Sequence, residues 1–567
     1  MKDESIAISP SLETEFDQPA EPSGSPVSIR VFFLSVQVVL NAIIIGFIAR
    51  GLVALINLIT NISFYGQFSF AEHGPAGNQL GAWVIAVPVL GGIIIGLMAR
   101  TGSAAIRGHG IPEAMEQVLT NESRIKPIIT WLKPLSAAIS IGTGGPFGAE
   151  GPIIATGGAF GSLAGQIMRI TPQERKVMLT AGATAGMAAI FGTPVAAVLL
   201  AIELLLFEFS PRSIIPVALA CATGAAMHYL LFGSGPVFPM AEVPAPGYRQ
   251  MLWYVGLGAI MGVLAALVSK SVYFIEDLFE KLPIHWMWWP ALGAVGVGIT
   301  GYFAPYTLGV GYNNITELLT GSVPLQLVLG LCFMKFISWA VSLGSGTSGG
   351  TLAPLLTIGG ACGTMLGMLV LHYFPQSGLH LPTCALIGMA AMFAGAARAL
   401  LTAIVFAFEC TMQPHGLLPL LGACTGSYFI SFFLMKNTIM TEKIHRRGIH
   451  TPDAYEPDVL QHMTVEEVMQ KLDKAQPRGF QTLYVYPGSP LTLAMQLMSR
   501  YGLSALPVVN KENKEEMLGS ITAPMIFAAY SRHKSAGHQY QRAISMKRRG
   551  FRLFLRGKGL LKDARNA

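Results

Sequence analysis

The feature that most limits what this chain can fold into is a gap-free internal duplication through its most apolar part. A displacement of 202 positions puts Lys133 on Lys335, Ser140 on Ser342, Gly142 on Gly344 and Gly144 on Gly346. The register continues through Gly148 and Gly350, Pro152 and Pro354, and Gly157–Gly158–Ala159 and Gly359–Gly360–Ala361. It still holds at Gly186–Met187–Ala188–Ala189 and Gly388–Met389–Ala390–Ala391. Upstream, after a one-residue slip, Gly108–His109–Gly110 meets Gly309–Val310–Gly311. Downstream, Phe191 meets Phe393, but the next acids, Glu203 and Glu409, lie 12 and 16 residues further on, so one copy carries a four-residue insertion. Such a chain folds as two related halves, about 28–235 and 249–445.

Only 12% of the residues are charged and 52% are hydrophobic, against roughly 25% charged in soluble domains. An all-α polytopic membrane domain over 28–445 is the expectation. Val31 to Ala49, bracketed by Arg30 and Arg50, can cross a hydrocarbon core of ~30 Å at about 1.5 Å per residue. Many later apolar segments are short and broken by Gly or Pro. Irregular backbone survives at membrane depth only where protein or water covers it. Short, interrupted segments repeated in two halves mark a transporter's binding site.

The acidic Ser/Pro stretch 1–27 reads as a disordered cytoplasmic tail, since a secretory signal would begin basic. Cys221, Cys332, Cys362, Cys384, Cys410 and Cys424 lack metal-ligand spacing and read as free thiols. From Arg542 to Arg565 there are nine Lys/Arg against Asp563. This basic tail, 534–567, suits anionic lipid on the cytoplasmic side of an inner membrane rather than nucleic acid. Both termini are then cytoplasmic. Between 456 and 533 the composition is that of a soluble α/β unit. Leu483–Tyr486, Ala505–Val509 and Met517–Ile521 read as strands, with an amphipathic helix at Leu491–Ser499 and another helix at the end.

Three segments share one construction: glycines, then a proline opening a helix. They are Gly108–His109–Gly110–Ile111–Pro112, Gly148–Ala149–Glu150–Gly151–Pro152 and Gly350–Thr351–Leu352–Ala353–Pro354. Proline suits the first helical turn, where an N–H is unpaired anyway. Helix N-termini offer free donors and about half a positive charge, and so form an anion site without a buried cation. Partial charges let a permeating ion leave again. Glu150 is the lone acid here, and its twin position holds Leu352. Ionised, its carboxylate can itself occupy the anion site; protonated, it would release it. The alternative is a plain N-terminal capping acid.

These residues resemble the CLC family of chloride channels and proton-coupled chloride transporters, over about 30–445. The resemblance implies an inverted repeat of short tilted helices and a homodimer with one anion pathway per subunit. It implies Glu150 as the external gate, with N–H groups near Ile111, Ala149–Gly151 and Thr351–Leu352 along the pathway. Four departures matter. His109 stands where the family usually has a serine, and either donates to the anion or turns away and bonds to backbone. Leu352 replaces a phenylalanine. Met440, in Ile439–Met440–Thr441, replaces the pore tyrosine. Leu204, beside Glu203, replaces the internal proton-carrying acid, and leucine cannot relay a proton. Glu203 and Glu409 then read as acids satisfying N–H groups at their own segment ends. Chloride transport gated by Glu150, channel-like or weakly coupled, is the expectation; the alternative is a proton-coupled antiporter for chloride, another halide or nitrate.

Tyr501–Gly502–Leu503–Ser504–Ala505–Leu506–Pro507–Val508–Val509 with Gly519–Ser520–Ile521–Thr522 resembles a CBS motif. Met525 falls where the ribose-binding acid of that motif usually stands. Adenine-nucleotide sensing and dimer stabilisation both stay open for it, and no other cofactor and no metal is expected. An enzymatic role is not expected either. Gly346–Thr347–Ser348–Gly349 spells a serine-protease motif, but His372, His380 and His415 fall at segment ends and supply no base.

Overall fold

The computed structural model describes residues 26–321, 323–449, 451, 460, 463–477, 483–510, 513 and 515–532. The two expected tails lie outside these, except that the first helix already begins at Pro26. The chain divides into two compact units, Met1–Thr451 and Pro452–Ala567.

The first unit is helical and repeats itself. Its first half holds α1 (Pro26–Thr60), α2 (Ala86–Thr101), α3 (Ile111–Leu119), α4 (Ile129–Gly142), α5 (Glu150–Ile167), α6 (Pro172–Phe191), α7 (Pro194–Leu200) and α8 (Pro211–Leu231). The second holds α9 (Tyr248–Glu280), α10 (Trp289–Phe303), α11 (Tyr312–Thr320), α12 (Leu325–Gly344), α13 (Leu352–Tyr373), α14 (Leu381–Ala397), α15 (Leu400–Thr411) and α16 (Leu417–Leu434). Each helix has its twin eight places on, and the short α17 (Glu442–Arg446) follows. Seven stretches among the described residues are long and apolar enough to cross a membrane. The apolar run that opens the chain does not stop at Arg50. Helix α1 continues to Thr60 because Leu52 and Ile56 bury their side chains, while the Arg50 guanidinium lies 5.2 Å from the Phe232 ring centre.

Glycine sets the closest crossings. At Gly157 and Gly182, where α5 meets α6, a side-chain carbon on either residue would overlap the other's carbonyl, and Gly359 and Gly388 repeat this between α13 and α14. The four-residue insertion is also visible. Helix α6 ends at Phe191, whereas α14 runs past Phe393 to Ala397, one extra turn at 3.6 residues per turn.

Glu203 and Glu409 cap each other's helix rather than their own segment ends. Glu203, on the π-helical turn Ala201–Leu206, accepts from the N–H groups of Leu401 and Thr402, each at 2.9 Å. Glu409 accepts from Val195 at 3.0 Å and Ala196 at 2.9 Å. The twin segments run antiparallel, so the end of each meets the positive N-terminus of the other.

The second unit holds a three-stranded sheet in the order β1 (Gln470–Pro477), β3 (Glu516–Thr522), β2 (Ala505–Val509), with both neighbours antiparallel to β3. Helix Leu491–Tyr501 buries Leu491, Ala494 and Met498, and 523–532 is helical. The expected strand Leu483–Tyr486 is reduced to one bridge, Val485 to Val508. Strand β1, polar and without alternation, lies at an edge and pairs through its backbone, with a register break between Lys471 and Gln476.

Candidate anion site

Three loops meet where α3, α5 and α13 begin. Gly148 and Gly350 exchange N–H···O bonds of 3.3 and 3.1 Å, so the twin loops pair antiparallel. Gly108 donates to Thr347 O at 3.3 Å and accepts from Gly349 N at 3.4 Å. At the centre Gly110, Gly151 and Gly350 touch backbone to backbone. An added Cβ on Gly110 would overlap the Gly151 carbonyl. One on Gly151 would lie 2.8 Å from Gly350 Cα, and one on Gly350 would lie 2.5 Å from Gly148 O. Gly110 also sits at φ +94°, a conformation that side chains resist.

This pairing sorts the expected donors. The N–H groups of Gly108, Gly110 and Gly148 are taken up by Thr347 O, Glu113 Oε2 (2.7 Å) and Gly350 O, so these three glycines shape the loops and offer no donor. Pro112, in the first turn of α3, has none to give. The N–H groups of Ile111, Gly151, Thr351 and Leu352 make no hydrogen bond among the described residues. Two side-chain groups share that condition: His109 Nδ1 and Thr351 Oγ1 are buried and make no hydrogen bond. His109 Nδ1 is therefore not bonded to backbone.

Glu150, fully buried in the first turn of α5, reaches across this junction. Its Oε1 accepts from the N–H of Ala353, and its Oε2 accepts from the hydroxyl of Tyr312 at 3.1 Å. The carboxylate lies against Gly148, where any side chain would collide with it. Ala149, just before Glu150, is buried beside it. The structure thus brings an acid from the first repeat onto the helix terminus of the second. The donor used is Ala353, one residue beyond the expected Thr351–Leu352 pair. Tyr312 is a residue that sequence reasoning missed. Its signal was present, because the slipped register that sets Gly110 on Gly311 sets Ile111 on Tyr312. The Tyr312 ring stands 6.0 Å from Phe191 and 5.8 Å from Phe238, and Phe191 packs edge-on to Phe406 at 4.9 Å.

The twin lysines have one job in two copies. Lys133 Nζ donates to Ile106 O and Gly108 O, and Lys335 Nζ to Thr307 O and Gly309 O, all at 2.8 Å. Each buried ammonium braces the loop ahead of α3 or α11. Glu113, on α3, pairs with Lys443 of α17 at 2.8 Å. Met440 is fully buried with a side chain that donates nothing, and Tyr273 donates to the preceding Ile439 O at 2.6 Å. Leu204 is buried on its π-helical turn. The Ser348 hydroxyl accepts from Ser136 at 3.1 Å, and His380 Nδ1 lies 3.1 Å from Thr383 Oγ1.

Comparison with known proteins gives the family and the fold. Residues 91–432 match the family model for voltage-gated chloride channels, and 465–532 match that for CBS domains. A protein of Klebsiella pneumoniae (strain 342), the H(+)/Cl(-) exchange transporter ClcA, is 29% identical over 427 residues, covering 70% of this chain and 86% of its own. Its namesake from Citrobacter koseri is 30% identical over 63% of this chain and 78% of its own. Among solved structures, a slow cyanobacterial Cl-/H+ antiporter superposes with a TM-score of 0.64 at 23% identity, over 72% of this chain and 97% of its own. A eukaryotic CLC transporter gives 0.60 at 21% identity, over 88% and 98%. At these identities the superpositions speak for the fold.

Proposed function

The chain belongs to the voltage-gated chloride channel family, with a C-terminal CBS domain, and we propose that within it the protein exchanges chloride for protons, with Glu150 as the gate. One observation carries the reading: the Glu150 carboxylate occupies the donors of the cradle, the Ala353 N–H and the Tyr312 hydroxyl. An ionised carboxylate and a chloride compete for the same N–H groups. A proton on Glu150 weakens its hold, the side chain leaves, and chloride takes the vacated Ala353 N–H together with the free N–H groups beside it, those of Leu352, Thr351, Ile111 and Gly151. Deprotonation returns the acid and expels the ion. The names of the relatives, H(+)/Cl(-) exchange transporters, support coupling over the channel-like behaviour that Leu204 suggested.

Leu204 favours the second reading, passive anion conduction, because Glu203 is committed to capping α15 and no acid stands at 204. Reconstituted protein under a chloride gradient separates the two. Exchange predicts that a pH gradient moves the reversal potential by a fixed amount per unit; conduction predicts no movement. A Glu150→Gln protein with unaltered pH dependence would remove Glu150 from the gate. Replacing chloride by nitrate, bromide or fluoride tests the selectivity left by His109 and Met440.

The homodimer, the cytoplasmic termini and the basic tail on anionic lipid belong to the same proposal. The family resemblance supports the first, and the charge of 542–565 supports the other two. For the CBS domain we take dimer stabilisation over adenine-nucleotide sensing, because Met525 packs against that domain's own core.

A further inference from the structure

His109 is the one ionisable side chain in the cradle that the exchange cycle above does not use. It is 5% exposed, it directly precedes Gly110 and α3, and its Nδ1 makes no hydrogen bond among the described residues. A buried ring nitrogen left open costs about 1–3 kcal/mol unless something fills it. The hydroxyl of Thr351, at the start of α13, is open in the same way. These are two orphan polar groups at the starts of two of the converging helices, and the ring nitrogen of His109 is the ionisable one.

The charges around His109 say what kind of ligand suits it. Glu113, on α3, faces it and is bound by Lys443 of α17 and by the Gly110 N–H. Lys133, on α4, stands behind with its ammonium on Ile106 O and Gly108 O. Arg107 turns aside, 4.9 and 5.5 Å from the ring centres of Trp286 and Trp289. Glu116, one turn along α3, is paired with Arg447, and Glu150 on α5 is held by Ala353 and Tyr312. With Glu150 protonated, or replaced by Gln, Lys133 and Lys443 against Glu113 leave one net positive charge. That field welcomes an anion and opposes a further positive charge unless an anion is present.

We propose that His109 takes up a proton together with the anion it binds, so that chloride and H+ reinforce each other at this residue. The proton comes from the solvent and the imidazolium donates to the ion. By linkage, a proton that strengthens chloride binding is in turn held more strongly when chloride is bound. This sets His109 beside Glu150 as a second proton-handling group in the cradle. The inference rests on the anion-site reading above.

The test is calorimetric titration of the full-length Glu150→Gln protein with chloride, which silences the gate's own proton. It is run between about pH 5.5 and about pH 7.5, the range in which an imidazole titrates, in two buffers of different ionisation enthalpy. The expected result is net proton uptake with chloride and affinity that tightens as pH falls, by at most about tenfold per unit for one linked proton. Both effects vanish when His109→Ser or His109→Asn is added. Nitrogen NMR of histidine-labelled Glu150→Gln protein gives a readout independent of those variants. The His109 resonances must pass from imidazole to imidazolium as chloride is added at fixed pH. Chloride binding without proton uptake, uptake that survives both His109 variants, or His109 resonances that stay those of the neutral ring would overturn the inference while leaving the anion site intact. No chloride binding at all would instead sink the anion-site reading and the inference with it.

Discussion

Replacing Tyr312 by Phe removes one oxygen from beside the Glu150 carboxylate and little else. The ring keeps its edge contacts with Phe191 and Phe238, so the packing that positions α11 is retained. What is lost is the 3.1 Å bond to Glu150 Oε2, leaving one carboxylate oxygen buried with no side-chain donor. A hydrogen bond to a charged group contributes about 1.5–3 kcal/mol. The seated carboxylate loses that stabilisation and the displaced one does not, so the equilibrium between seat and chloride shifts by the whole difference. At about 1.4 kcal/mol per factor of ten, Tyr312→Phe should tighten apparent chloride affinity by about ten- to a hundredfold at neutral pH. Calorimetric titration with chloride measures it directly. The same substitution in a Glu150→Gln background should change affinity little, which makes the pair a double-mutant cycle. Unchanged affinity in the single variant, or an equal effect in both backgrounds, would refute the idea that Tyr312 acts through Glu150.

Other substitutions test the frame. Gly151→Ala or Gly350→Ala should lower thermal stability by at least the 1–3 kcal/mol or so typical of overpacking and abolish chloride binding, because the new carbon meets backbone. Gly256→Ala, with open space around it, should leave both unchanged. Lys133→Met and Lys335→Met each strand two buried carbonyls and should cost similar stability in a melting assay, about 1–3 kcal/mol per carbonyl. Only Lys133→Met, which also removes a charge near His109, should weaken chloride binding. Glu203→Gln and Glu409→Gln should both lower the melting temperature by weakening reciprocal caps. If Glu203→Gln also changes the proton-to-chloride ratio in proteoliposome flux, then Glu203 does more than cap α15.

The two halves, the three glycine loops and the solitary acid were legible because duplication leaves them in register and because glycine before proline has few other uses in an apolar chain. The lysine pair was equally visible in that register, yet its role was not, since the carbonyls it braces lie 25 to 28 residues away along the chain. Strand β1 escaped for a different reason: an edge strand is held by backbone, and its side chains follow no pattern.

The sequence by itself determined that glycine loops would open helices in two copies and that one copy would carry an acid. It could not say which N–H groups remain free, because that depends on which loops pair. Only the tertiary structure decided that Gly108, Gly110 and Gly148 give theirs to the frame, that Ala353 and Tyr312 hold Glu150, and that Glu203 and Glu409 cap each other. The physical reason is that hydrogen bonds between distant segments are chosen by geometry once the halves close on each other. Residue type limits which groups can bond, and packing selects the partners.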